Sequence, residues 1–281
     1  MNVQKKILLL VVRIRLSILS VLNPTLAGKE IFRLFCTPFA TNKKNTYAEF
    51  ANAEPISFLV NNLRVSGYRS NLPSAKKVLL LHGFSSSCNK FHHFAYPLVA
   101  KGYEVIAFDA PAHGSSEGRQ VNALIYAEAI KKAAELYGPF HAYIAHSLGG
   151  LAICLALEDM YVPTETKLVL IAPVAETTTA INNAFALLKM KNKKLRHIME
   201  QEILRVSGKP VEWFSIRRAL KNIPANVLWI QDEDDNITPM KDAMTVKNDL
   251  LAHVKFLITS GLGHQKIYRD AQVINAVVDF F

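Results

Sequence analysis

The chain has 281 residues, half of them hydrophobic by type and a fifth charged, which allows one large, well-buried α/β domain and excludes a disordered polymer. Its three cysteines, Cys36, Cys88 and Cys154, exclude a disulfide framework and a CxxC metal or redox site, and suit a reducing compartment. The net charge of +10 is concentrated in two stretches: residues 1–44 hold eight Lys/Arg against one Glu, and residues 189–221 hold ten against three. Such surfaces point to an anionic contact, phospholipid head groups or an acidic substrate. With no zinc-finger spacing, helix-turn-helix pattern or RNP-like aromatic strand, nucleic acid is not an expected partner.

Residues 1–45 form a first segment, an amphipathic helix followed by a linker. Lys6, Arg13, Ser17 and Ser20 lie near one helical line, and apolar residues fill most of the remaining circumference. Arg13 and Arg15 interrupt the apolar run and argue against a spanning helix, each central Arg costing about 2.5–3.5 kcal/mol. Three fates stay open for residues 1–25: peripheral contact with an anionic membrane, packing on the main domain, or removal as a signal. Pro24 ends this helix, and a second basic helix is expected over 26–35. The stretch 41–54 is polar and reads as a linker or surface loop.

Residues 46–281 read as one α/β domain. Ile56–Val60 and Leu63–Arg69 form a hairpin across Asn61-Asn62. Strands follow at Val78–His82, Tyr103–Asp109, Phe140–His146, Lys167–Ala172, Val227–Gln231 and Val254–Thr259. Helices are expected at Phe91–Lys101, Val121–Tyr137 and Leu148–Met160, from near Pro239, and over 265–281. This alternation implies a mostly parallel sheet with helices on both faces. Residues 174–222 break the rhythm with helical, basic sequence, as a small cap insertion would, and Trp213-Phe214 with Ile216 and Leu220 read as one helix face.

The chemistry concentrates at Ala145-His146-Ser147-Leu148-Gly149, where a buried strand runs straight into an apolar helix. A serine at that junction needs small neighbours, here Ala145 and Gly149, because its backbone is strained and other chains pack close. A serine hydroxyl is a poor nucleophile without a base, so Ser147 calls for an acid and a histidine further along the chain. Asp235 lies in the loop after a strand, with Asp232 and Asp234 as competitors, and stands four residues before Pro239. His264 lies in Gly261-Leu262-Gly263-His264, between the last strand and the last helix. The backbone N–H groups of Phe84, after His82-Gly83, and of Leu148 are candidates for an oxyanion hole. His82 is read as bracing its loop. Adjacent His92 and His93 point about 100° apart on a helix and cannot form an i, i+4 metal pair. No metal site, dinucleotide fingerprint or phosphate loop is expected, and no cofactor.

Leu80-Leu81-His82-Gly83-Phe84, Asp109-Ala110-Pro111-Ala112-His113-Gly114, the Ser147 junction, the Asp235 loop and the His264 loop together resemble the α/β-hydrolase superfamily. Within it the chain looks most like small bacterial serine hydrolases of esterase and lipase type. The resemblance implies an α/β-hydrolase fold, with Asp109 and His113 shaping the site wall. It implies a serine hydrolase acting on a small-molecule carboxylic ester through an acyl-enzyme, with Ser147 as nucleophile, His264 as base and Asp235 as orienting acid. Acyl transfer, thioester or amide cleavage by the same three groups, and a non-catalytic ligand-binding protein, are the alternatives. The expected location is cytoplasmic, with peripheral contact at the inner face of the membrane.

Overall fold

The computed structural model describes residues 3–38, 53–70 and 73–281. It divides into two compact units, a helical one of Met1–Thr37 with Glu176–Ser215 and a sheet-bearing one of Pro38–Ala175 with Ile216–Phe281. Of the stretch 41–54 expected as linker or surface loop, residues 41–52 lie outside the described residues, and Glu54 already belongs to the first strand, paired with Arg69.

The strands are β1 (Glu54–Val60), β2 (Leu63–Ser70), β3 (Lys77–Leu81), β4 (Glu104–Phe108), β5 (Ala142–His146), β6 (Lys167–Ile171), β7 (Asn226–Asp232) and β8 (Val254–Thr259). The helices are α1 (Val3–Leu22), α2 (Pro24–Phe35), α3 (His92–Ala100), α4 (Ala123–Tyr137), α5 (Leu148–Leu157), α6 (Thr177–Leu187), α7 (Lys193–Ser207), α8 (Ile216–Ala219), α9 (Met240–Lys247), α10 (Gly263–Lys266) and α11 (Ala271–Phe280).

One eight-stranded sheet, ordered β1-β2-β4-β3-β5-β6-β7-β8, forms the centre of the sheet-bearing unit. Asn61 and Asn62 both take positive φ, 49° and 63°, as a two-residue hairpin turn requires. β2 then pairs antiparallel with β4, and all pairings from β4 through β8 are parallel. The central strands are apolar on both faces, as a sheet covered on both sides must be. Val78, Leu80, Val105, Ile144, Val169 and Ile230 share one core with Phe91, Phe94 and Leu98 of the α3 region and Val273 and Val277 of α11. Trp229, on the opposite face of β7, is fully buried and stacks on Phe256.

Two expected helices differ in the structure. The chain after residue 263 is α10, a 3₁₀ turn over Ile267–Arg269, and then α11. The break falls at Asp270, whose carboxylate accepts the N–H groups of Gln272 and Val273 and starts a new helix. Trp213-Phe214, Ile216 and Leu220 do not lie on one helix either. Val211–Trp213 is a 3₁₀ turn, Ser215 bridges in extended form to Glu176, and only then does α8 begin. Pro210 before the turn and the bridge at Ser215 take the backbone out of helical geometry.

In the helical unit α2 packs along α7, and α1 packs on α2 and touches α7. Asn23 caps α2 by accepting the Leu26 N–H at 3.0 Å, and Asn192 caps α7 by accepting the Leu195 N–H at 3.1 Å. The close approach of α2 to α7 depends on Gly28, since a methyl there would lie 2.7 Å from Ile198 Cγ2 and 3.1 Å from its carbonyl oxygen. Residues 3–35 are thus an integral part of this unit, with Ala27, Gly28 and Ile31 buried.

Candidate active site

Ser147 sits where β5 meets α5, at φ 53° and ψ −119°, a region costly for any residue with a Cβ. Neighbouring backbone holds it there. Its N–H donates to the Ile171 carbonyl at 3.2 Å, and its own carbonyl accepts from Val174 N–H at 3.0 Å. Ala145 and Gly149 on either side are buried, leaving no room for larger side chains at the turn.

Three loops from one sheet edge meet at this hydroxyl. His264 Nε2 lies 3.0 Å from Ser147 Oγ, and its Nδ1 lies 2.8 Å from Asp235 Oδ2. The tautomer consistent with both contacts has Nδ1–H donating to the carboxylate and Nε2 accepting from the serine. Asp235 Oδ1 accepts the N–H groups of Ile237 and Thr238 at 2.8 and 2.9 Å. Thr238 Oγ1 lies 2.7 Å from Asp235 Oδ2 and 3.2 Å from His264 Nδ1. Burial pushes the Asp235 carboxyl up, but the hydrogen bond and charge of His264 with the Thr238 donors outweigh it, and the net displacement is downward.

The competing acids hold the histidine's loop. Asp232 accepts from Thr259 Oγ1 at 2.7 Å and from the N–H groups of Asp234, Leu262 and Gly263 at 3.0, 3.1 and 2.8 Å. Asp234 accepts the Gly261 N–H at 2.8 Å. Both carboxylates are therefore spent on the turn that delivers His264.

Phe84 follows Gly83 at the end of β3, and a methyl on Gly83 would lie only 2.8 Å from Ser147 Cβ. This places the Gly83 backbone beside the serine. Leu148 N–H is the first of α5 and so has no intrahelical acceptor. His82 is fully buried beneath them, its Nδ1 donating to Gly83 carbonyl at 2.7 Å and its Nε2 accepting from Ala110 N–H at 2.9 Å. Burial drives its pKa down and keeps it neutral. Asp109 accepts from Cys88 and Ser115 N–H, and His113 Nε2 accepts from Ser85 N–H. These contacts tie the loop after β3 to the loop after β4.

Two groups escaped the sequence reading. His146 Nε2–H donates to the His264 carbonyl at 3.0 Å, and the two rings lie 4.7 Å apart. Burial, then the neighbouring His264, pushes the His146 pKa down to about 3, so it remains a neutral donor. Thr238 is the other. Only the position of His146 next to Ser147 pointed to it in the sequence, and nothing local marked Thr238. Among the described residues no group of three or more His, Cys, Asp or Glu is arranged to hold a metal ion.

The family model described as serine aminopeptidase, S33, matches residues 73–215. No curated protein matches the chain. Among solved structures, the Pyrococcus furiosus esterase Pf2001 superposes with a TM-score of 0.65 at 18% identity, covering 87% of this chain and 96% of that one. Est1E of Butyrivibrio proteoclasticus, solved with ferulic acid bound, has a TM-score of 0.63 at 16% identity, covering 80% and 97%. The thioesterase domain from the curacin biosynthetic pathway has a TM-score of 0.59 at 17% identity, covering 81% and 98%. At such identities these likenesses speak for the fold, while the family model spans more than half the chain, and it includes both the loop after β3 and the Ser147 turn. The chain belongs to the serine aminopeptidase S33 family, within the α/β-hydrolase superfamily.

Proposed function

We propose that this hydrolase cleaves small-molecule carboxylic esters through a covalent acyl-serine. The observation that carries the reading is the single imidazole of His264 standing between Ser147 Oγ at 3.0 Å and Asp235 Oδ2 at 2.8 Å. Ser147 Oγ attacks the carbonyl carbon as Nε2 takes its proton, giving a tetrahedral oxyanion facing the N–H groups of Phe84 and Leu148. Nε2–H then protonates the departing alkoxide, leaving acyl-Ser147 and an alcohol. Water enters, gives a proton to Nε2 and attacks the acyl carbon; collapse returns the proton to Oγ and releases the carboxylic acid. Asp235 stays ionised throughout, which agrees with its lowered pKa, and holds Nδ1 protonated.

The similarity to solved esterases supports an ester substrate. The family's aminopeptidase description favours a second reading, hydrolysis of an amide at the same serine. Purified protein should react with a fluorophosphonate probe and turn over p-nitrophenyl esters faster than aminoacyl p-nitroanilides. Ser147→Ala should abolish labelling, and Asp235→Asn should lower kcat by on the order of 10³–10⁴-fold with the fold intact by circular dichroism. Labelling that persists in Ser147→Ala removes the serine from this role, and faster anilide turnover selects the amide reading.

A further inference from the structure

α1 has two unlike sides. Leu16 and Ser20 are buried, whereas Ile7, Val11, Ile14, Ile18, Val21 and Leu22 are exposed, from 49% at Ile14 to 76% at Val21 and Leu22. At helical spacing these six fall in one sector about 100° wide, and the stripe runs about 22 Å from end to end. Exposed Arg15 and Ser17 border it on either side. A contiguous aliphatic surface of this kind marks an interaction face, unlike apolar residues scattered singly.

Charge identifies the occupant. The helical unit carries thirteen Lys/Arg against five Glu. Three of those glutamates are ion-paired inside the unit, Glu30 with Arg15 and Arg33, Glu200 with Arg196, and Glu202 with Arg205. A second copy meeting stripe to stripe would bring two strongly cationic bodies together. An anionic bilayer supplies hydrocarbon for the stripe and counter-charge for the excess of Lys/Arg that the unit carries. Spanning is not the mode, since no described helix is long and apolar enough to cross a membrane.

We propose that α1 lies in the plane of an anionic phospholipid surface with this stripe at the acyl boundary. Because α2 joins α1 to α7, the docked body is the whole helical unit, Glu176–Ser215 included, and the anchor is no loose tail.

The test is co-sedimentation of the full-length protein with vesicles of phosphatidylcholine alone and of phosphatidylcholine with phosphatidylglycerol, alongside sedimentation velocity without lipid. The expected result is binding to the phosphatidylglycerol vesicles about tenfold or more tighter than to the neutral ones, weakened by salt. The double substitution Ile14→Glu, Ile18→Glu should lower that binding by about tenfold or more, with helicity and probe labelling unchanged. If that variant fails to fold, Val21→Ser with Leu22→Ser, at the two most exposed positions, must weaken binding in the same direction. Equal pelleting of wild type and folded variant, or no pelleting with phosphatidylglycerol vesicles, overturns the proposal. A lipid-free dimer that the substitutions dissolve overturns it in favour of a second copy.

Discussion

Asp232, Asp234 and Asp235 stand within four residues of one another, yet their carboxylates face different partners. Asp235 takes the imidazole, while Asp232 and Asp234 take the backbone that carries it. Burial raises the Asp232 carboxyl, but the N–H groups of Gly263, Leu262 and Asp234 and the Thr259 hydroxyl bring it net below the ordinary carboxylate range. A depressed folded pKa contributes stability that is present above the unfolded value, about 3.9, and is lost as pH falls through the folded one. Asp232→Asn is therefore expected to destabilise the protein fully at pH 7, with the gap to wild type shrinking below about pH 4. Urea melts across that range check it, and a gap that widens with acid would contradict the assignment. Because Asp232 touches no reacting atom, the same variant should lower kcat through a displaced His264, by up to about 10²-fold, and leave KM nearly unchanged. Sequence alone could rank these acids only by distance from Pro239. Their division of roles depends on Thr259 and the Gly261–Gly263 turn, a partner loop that local pattern does not reveal. His146 and Thr238 were missed for the same reason, since each acts through a contact made only when distant loops converge.

At the scale of elements, what could be read was whatever local chemistry dictates. The Asn61-Asn62 turn, the apolar runs of β3 through β7 and the small residues around Ser147 each need one backbone conformation, and the chain adopts it. Periodicity was a weaker guide at the C-terminus, where the apolar spacing from Ile267 to Val278 runs on across Asp270. A capping carboxylate in mid-pattern overrides that spacing, because two N–H groups gain an acceptor when the helix restarts. Removing the carboxylate with Asp270→Ala is expected to cost about 1 kcal/mol, or about 2–4 °C in Tm for a chain near this size. Calorimetry of the variant decides this. An unchanged Tm would mean that the packing of Val273 and Val277 alone sets the start of α11.

For the whole molecule, the division into units does not follow chain order. The helical unit joins residues from the N-terminus to residues beyond position 175, so neither stretch has its native packing without the other. A linear reading separates an N-terminal helix from a cap insertion. The pairing of α2 with α7 emerges only from close approach at Gly28 and Ile198. A branched side chain at that point should force the helices apart, at a cost of about 1–3 kcal/mol. Since this unit holds its own contacts, the cost should appear as local opening, with global unfolding little changed. In Gly28→Val, hydrogen exchange is expected to accelerate at the α7 amides of Leu195 to Ile203, far away in sequence, while α4 and α5 keep their protection. Uniform acceleration across both units would show that they unfold together, and protection unchanged in α7 would deny that α2 supports it.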